Sequence, residues 1–299
     1  MKIIDYINNQ TIDVQIEELG KSGTGYNSPT IVKVNGIIGY KKRSINCKTF
    51  DSFEYLISIL GKLLNIKVAE TYCFDDGSIF SKSVTNEGEE FITIEDISKI
   101  ISITDEEFAE KQLFDKNLES IVHNSQNHYI AKTNEEIEFV INIFIRMIIK
   151  LNIENKDEII RDYIRMCFFD CLTGNKDRVS GNFGLIKNGD KFSFAPLFDS
   201  STIAIPNIDD NLVQINNYYI DRNSLLDYII NKYPNYVEDI LNVDTESIRN
   251  ILGDISKKLL SEEDKKWFDS MITNNILAEL PKRKKMTSNT EKTSQFICI

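Results

Sequence analysis

Asp177, Asn182 and Asp199 are the residues whose types and spacing could do chemistry, and all three fall in CLTGNKDRVSGNFGLIKNGDKFSFAPLFDSS, from Cys171 to Ser201. A loop carboxylate such as Asp177 can orient a hydroxyl and accept its proton. Five residues on, the Asn182 amide offers a hard oxygen, and Asp199 offers two more. Such oxygens suit Mg²⁺, which keeps several waters and takes only one or two carboxylates from a protein. Together the groups are equipped for phosphoryl transfer, in which alignment and charge neutralisation lower most of the barrier. Singly, each has a plainer role, because Asp and Asn cap helices and make Asx turns in any loop. The set is more particular: Gly174 and Gly181 frame the loop, and Pro196-Leu197-Phe198 leads into Asp199.

The neighbouring elements must position these groups. From Asp157 to Leu172 the residues Ile160, Tyr163, Ile164, Cys167, Phe168 and Cys171 recur at helical spacing, so a buried helix launches the loop and Gly174 ends it. Phe183 to Ile186 and Lys191 to Ala195 read as two strands turned at Asn188-Gly189, a dipeptide that readily takes positive φ. Asn182 then stands just before one strand and Asp199 just after the other. Protein kinases arrange a loop Asp, an Asn and a second Asp in this order, which makes Asp177 the expected base and Asn182 and Asp199 the expected metal ligands.

The N-terminal part supplies a matching set. Thr11 to Leu19, Thr30 to Val34 and Ile37 to Lys42 read as strands, the last two turned at Asn35-Gly36. Gly20, Gly23 and Gly25 lie between the first two strands, where a glycine-rich loop can bring backbone amides close to phosphates. No G-K-[ST] opens a helix after it, so it is not a Walker A loop. On the third strand Gly39 and Lys41 share one face, and Ile38, Tyr40 and Lys42 the other. A small residue two before the lysine leaves room for an adenine, which selects Lys41 as the ATP-phosphate lysine, with Lys42 as the alternative. A helix over Asp51 to Asn65 carries Glu54 in its first turns, the expected partner of that lysine. Val68 to Phe74 and Ser78 to Val84 form a strand pair turned at Asp75-Asp76-Gly77, and the backbone from Ser81 to Ser83 is expected to meet the adenine. The plainer readings are a flexible hairpin loop, an exposed lysine pair and a solvated helix carboxylate.

Ile92 to Ile101 is expected to begin a helical lobe. The pattern stays helical from Asp105 to Ile153 apart from a polar interruption holding His123 and His128, and Glu135 to Leu151 reads as a core helix. Ser224 to Leu280 reads as several amphipathic helices forming a scaffold, and 281–299 has the composition of a disordered tail. A net charge of −11 argues against a nucleic-acid partner, which needs a basic face. No apolar run reaches the roughly 18 residues of a membrane span, and the N-terminus lacks the features of a Sec-type signal peptide. Five cysteines give no disulfide framework; Cys167 and Cys171, one helical turn apart, read as core thiols in a reducing compartment.

GNKDRVSGNFGLI followed by FAPLFDSS resembles the catalytic and metal-binding segments of the HipA-like serine/threonine kinases, closest to the compact cell-translocating kinase A (CtkA) branch. Those segments read G-N-x-D-R-H-x-x-N, then a hydrophobic run ending in P-[IL]-[FY]-D; this chain has Val179 where the family has His. The resemblance runs from the glycine-rich loop to about Leu280. It implies an α+β, two-lobed protein-kinase-like fold, with a small antiparallel β lobe and one helix over 1–84, a larger helical lobe over 85–280, and a basic tail beyond. The implied activity is ATP- and Mg²⁺-dependent phosphorylation of a Ser or Thr hydroxyl, including the enzyme's own. The implied partners are a protein substrate and either an antitoxin, as for toxin members, or a host target, as for secreted effectors. The implied location is accordingly the cytoplasm or outside the cell. Two other readings use the same groups: a lipid or small-molecule kinase, since phosphatidylinositol kinases share the DRH-type loop, and a nucleotide-binding pseudokinase, which Val179 favours.

Overall fold

The computed structural model describes residues 1–22, 29–42, 48–100, 130–200, 211–216 and 218–285. Gly23, Gly25, His123, His128 and most of the C-terminal tail lie outside the described residues. In chain order, β1 (Lys2–Asp5), β2 (Gln10–Asp13), β3 (Ile16–Lys21), β4 (Thr30–Val34) and β5 (Ile37–Lys42) precede helix α1 (Lys48–Leu63). After it come β6 (Thr71–Phe74), β7 (Ile79–Lys82), β8 (Glu90–Thr93), α2 (Ile94–Ile100), β9 (Ile130–Ala131), α3 (Asn134–Lys150) and α4 (Lys156–Thr173). The chain continues through β10 (Gly184–Asn188), β11 (Lys191–Phe194), β12 (Leu212–Ile215) and β13 (Tyr218–Asp221). It ends with α5 (Arg222–Lys232), α6 (Pro234–Leu241), α7 (Thr245–Leu259) and α8 (Glu262–Met271), the last running into a π-helical segment (Ile272–Leu277).

This α+β chain forms two compact units, each built from separate stretches. Among the described residues the first unit holds 1–86, 196–200 and 233–285, and the second holds 87–195, 211–216 and 218–232. The last helices join the first unit because α1 is buried beyond its sheet-facing stripe. Phe53 packs on Trp267 and Phe268 of α8, with ring centroids 5.2 and 5.9 Å apart.

In the first unit, seven antiparallel strands run β2-β1-β6-β7-β5-β4-β3. The edge strands β2 and β3 are joined only through Val14 and Gln15. Laid flat, seven strands at roughly 4.8 Å spacing would hold those edges about 29 Å apart, whereas so short a link reaches only about 10 Å. The sheet must therefore curl, which is why the single strand expected over Thr11 to Leu19 breaks in two. The curl is pinned where Asn35 N donates to Gln15 O (3.0 Å) and Gln15 N to Asn35 Oδ1 (2.9 Å). Ile3, Val32, Val34, Phe74 and Phe80 fill its concave side, with Val14, Ile16 and Tyr72 around them.

Strand register assigns Gly39 to that filled side, opposite Val32. A Cβ there would run into the Phe80 ring and the Ser81 carbonyl oxygen. The space that the sequence suggested for an adenine beside Gly39 is thus occupied by Phe80. Gly39→Ala is expected to lower stability by about 1–3 kcal/mol through overpacking, read as a lower urea midpoint at unchanged slope.

The second unit is built around α4, buried along most of its length and closed by Gly174 in the left-handed conformation at φ 66°. Tyr163 of α4 meets Phe144 of α3 at 4.4 Å and Phe183 at 5.9 Å, and Phe144 meets Phe194 at 5.9 Å. Thr133 and Glu136 form a capping box that starts α3. β10 pairs with β11 across the expected Asn188-Gly189 turn and, on its other side, with β8. The helix expected from Ile92 is therefore a strand to Thr93 and a helix only from Ile94. Cys167 and Cys171 are buried on α4, and burial pushes the Cys167 thiol well above its ordinary value, as befits core thiols.

Candidate active site

In the first unit the charged residues converge on Lys42. Its ammonium lies 3.0 and 2.9 Å from the two Glu54 carboxylate oxygens and 3.1 Å from Asp199 Oδ1. Strand alternation places Lys42 on the convex face of β5, the face that α1 packs against, so Glu54 in the helix meets it. Burial works against the charge on Lys42, but Glu54 and Asp199 outweigh it and hold the ammonium above its ordinary range. For Glu54, burial is the larger influence and raises the carboxyl against the pull of Lys42.

Asp199 is held by a short main-chain ladder. Ala69 N donates to Leu197 O and Leu197 N to Lys67 O, both at 2.8 Å, so the segment after Pro196 runs parallel to the chain at Val68. Asp199 itself adopts φ 51°, a left-handed conformation that Asp tolerates better than most residues. Glu54, Ser58, Thr71, Phe198, Asp199 and Ser200 line the adjoining cavity.

Lys41, the lysine chosen from the sequence, does not take part. Its ammonium pairs with Asp76 at 3.2 Å and sits 5.3 Å from the Phe74 ring centroid, on the concave side of the sheet. The pairing expected of Lys41 is made by Lys42 instead. A readable signal existed: the Asn35-Gly36 turn sets Val34 opposite Ile37 and Val32 opposite Gly39, so Gly39 and Lys41 lie on the face of the two buried valines.

The other expected nucleotide-binding residues are also in the first unit. Gly20 sits at a bulge in β3 with φ 151°, a conformation suited to glycine. Ser81 is buried opposite Tyr40, and the Ser83 amide donates to Ile38 O at 3.0 Å. The Ser83 N–H is thus engaged inside the sheet, not offered to a ligand.

In the second unit, Asp177 and Asn182 are tied directly. Asn182 Nδ2 donates to the Asp177 carbonyl at 2.8 Å and lies 3.5 Å from Asp177 Oδ2. With the amide nitrogen so committed, Asn182 Oδ1 is the atom left to ligate a cation. Behind the loop, Arg178 makes a fully buried pair with Asp170 of α4, Nε to Oδ2 at 2.9 Å and Nη2 to Oδ1 at 3.0 Å.

The fold is shared with solved structures, of which two are described. One is the crystal structure of the Helicobacter pylori proinflammatory kinase CtkA, matched at TM-score 0.58 and 15% identity over 92% of this chain and 96% of that one. This is a kinase-like fold. The other is HipA of the Shewanella oneidensis MR-1 toxin–antitoxin system, solved with HipB and operator DNA, at TM-score 0.51 and 11% identity over 90% of this chain and 66% of that one. No protein-family model matches the chain, and no curated protein matches it in sequence.

Within this kinase-like fold, Val179 stands where the HipA-like segments carry His. Its carbonyl accepts the Asn182 amide at 2.9 Å, closing the turn that presents Asn182. That is a main-chain service and needs no imidazole. The sequence reading missed Asp170, which looks like one more position on a buried helix. The signal available was a carboxylate on an apolar stretch of helix, with an arginine two residues beyond Asn175 and Lys176 in the loop, since buried charges are paired. Asn182 Oδ1 in the second unit and the Asp199 carboxylate in the first are each of the hard-oxygen kind that Mg²⁺ takes. Among the described residues no cluster of three or more His, Cys, Asp or Glu could hold a metal, and no helix is long and apolar enough to cross a membrane.

Proposed function

We propose that this chain is an ATP- and Mg²⁺-dependent serine/threonine protein kinase. The observation that carries the reading is the pairing of Lys42 with the buried Glu54, with Asp199 on the same ammonium, the trio by which kinases hold nucleotide phosphates and their metal. Lys42 would bind phosphate oxygens, kept charged and aimed by Glu54. Asn182 and Asp199 would ligate Mg²⁺, which on binding neutralises charge on the transferring phosphoryl group. Asp177 would orient the acceptor hydroxyl and take its proton as the acceptor oxygen bonds the γ-phosphorus and the bond from that phosphorus to the departing ADP breaks. On this reading these five residues would supply charge and alignment, and the phosphoryl group needs little else.

The acceptor is read as a protein hydroxyl, including the chain's own, and a net charge of −11 disfavours an anionic lipid surface. HipA's solved complex with HipB makes an antitoxin-like partner a reasonable one for this chain, while the net charge of −11 opposes direct contact with DNA.

The test is incubation with Mg²⁺ and γ-labelled ATP, with a generic protein acceptor and phosphoinositide vesicles in parallel, followed by mass spectrometry. Mg²⁺-dependent label on Ser or Thr, absent in Asp199→Ala, is expected. Label on lipid alone would replace the acceptor class. Mg²⁺·ATP binding with no transfer to any acceptor would make the chain a nucleotide-binding module, the reading that Val179 favours.

A further inference from the structure

We propose that Asp170, a helix residue that touches no reactant, positions Asp177 and Asn182 together through two separate arms; the inference rests on the kinase reading of those two residues. Asp170 lies in the last turn of α4 and is completely buried, as is Arg178. Three donors converge on its carboxylate: Arg178 Nε on Oδ2 at 2.9 Å, and Arg178 Nη2 and Asn175 Nδ2 on Oδ1 at 3.0 and 2.9 Å. Its main-chain carbonyl also accepts the Asn175 amide at 3.0 Å.

Each partner also reaches a residue of the site. Asn175 Oδ1 accepts the Asp177 amide at 3.0 Å, and Arg178 Nη1 donates to the Asn182 carbonyl at 3.0 Å. One carboxylate therefore fixes the main chain at the expected base through Asn175 and at the expected metal ligand through Arg178. Only a guanidinium can do the second task, because its rigid fork binds a carboxylate with two nitrogens and still points a third elsewhere. Main-chain bonds from Gln214 N of β12 to Asn175 O (3.1 Å) and from Asn216 N, in the turn after that strand, to Arg178 O (2.9 Å) brace the same two residues.

A buried ion pair is weak evidence for stability, since well-packed apolar residues of similar volume often do as well. Its geometric reach into both site residues is what distinguishes this one. Positioning matters on this scale because a misplacement of about 1 Å can cost about 10²-fold in rate.

The two arms make the inference separable from a structural role. Asn175→Ala keeps the ion pair and releases the Asp177 amide; kcat is expected to fall about 10–100-fold with the half-saturating Mg²⁺ concentration unchanged within about twofold. Arg178→Lys keeps a cation on Asp170 but loses the nitrogen on Asn182; half-saturating Mg²⁺ is expected to rise about 10-fold with a smaller change in kcat, in the range typical for disturbed ligand orientation. Asp170→Asn is expected to show both effects.

Hydrogen exchange across 175–182 gives a readout independent of turnover, and the Asp177 amide should exchange faster in Asn175→Ala and in Asp170→Asn. If the wild type transfers no phosphate, the kinase reading fails while exchange at the Asp177 amide still decides whether Asp170 acts through the Asn175 arm. Should Asp170→Asn fail to fold, the other two variants carry the test. Folded variants that match wild type in exchange, kcat and Mg²⁺ requirement, or that lose kcat and Mg²⁺ affinity in the same proportion in both arms, would overturn the proposal.

Discussion

Asp177→Asn is expected to lower kcat by about 10³-fold, within the usual range for loss of a general base, while ATP affinity stays within about twofold. The substitution is nearly isosteric, and the contact that ties the loop at this point, Asn182 Nδ2 on the Asp177 carbonyl at 2.8 Å, belongs to the main chain and survives it. What disappears is the carboxylate that would accept the acceptor's proton. An independent sign that only charge was removed comes from Tyr219, whose phenol is held above its ordinary value by burial first and by the negative charge of Asp177 second. Without that charge Tyr219 should titrate at lower pH than in the wild type, a shift readable by ultraviolet difference titration. A variant with wild-type kcat would remove Asp177 from the chemistry. An equal loss of kcat and ATP binding would instead indicate collapse of the loop.

The elements were legible wherever a local rule was strong. Asn35-Gly36 and Asn188-Gly189 marked their hairpins, the apolar spacing over 157–172 marked α4, and Gly174 marked its end, because these signals act over a few residues. The curl of the seven-stranded sheet was not legible as a period, yet it follows from Val14 and Gln15 being the only link between the two edge strands. Assignment of the last helices to the first unit depends on Phe53 meeting Trp267 and Phe268, a contact between residues far apart in sequence that no window along the chain contains.

The candidate site divided in the same way. Asp177 and Asn182 lie within one loop, and their mutual bond follows from spacing. Asp170 went unread because its role depends on Arg178 folding back beneath the loop. Lys41 was preferred to Lys42 because a small neighbour was read as room for a ligand, whereas the turn register commits Gly39 to Phe80 on the filled side and Lys42 is the lysine that meets Glu54. Two adjacent strand lysines face opposite ways, so a choice made on the wrong neighbour inverts the answer completely.

That inversion makes the paired lysine variants decisive. Lys42→Met is expected to reduce phosphate transfer by about 10²–10³-fold, the usual effect of deleting one preorganised electrostatic contact; Lys41→Met is expected to keep transfer within about twofold. Stability should diverge as well. Lys41 and Asp76 keep some access to solvent, and a methionine of similar length can lie against Phe74, so the melting temperature should change little. Lys42→Met instead leaves Glu54 buried without its nearest cation, beside Asp199. Burial already raises the Glu54 carboxyl above the ordinary 4.5, and without Lys42 it rises further, so the folded variant takes up a proton that the unfolded chain releases. A group with a raised folded pKa stabilises at low pH and loses that contribution as pH rises beyond the ordinary carboxylate value. Lys42→Met should therefore be more stable at pH 5 than at pH 8, relative to wild type, by urea unfolding at each pH. Loss of transfer in Lys41→Met with Lys42→Met intact would return the phosphate-binding role to the concave side of the sheet and dissolve the trio on which the kinase reading rests.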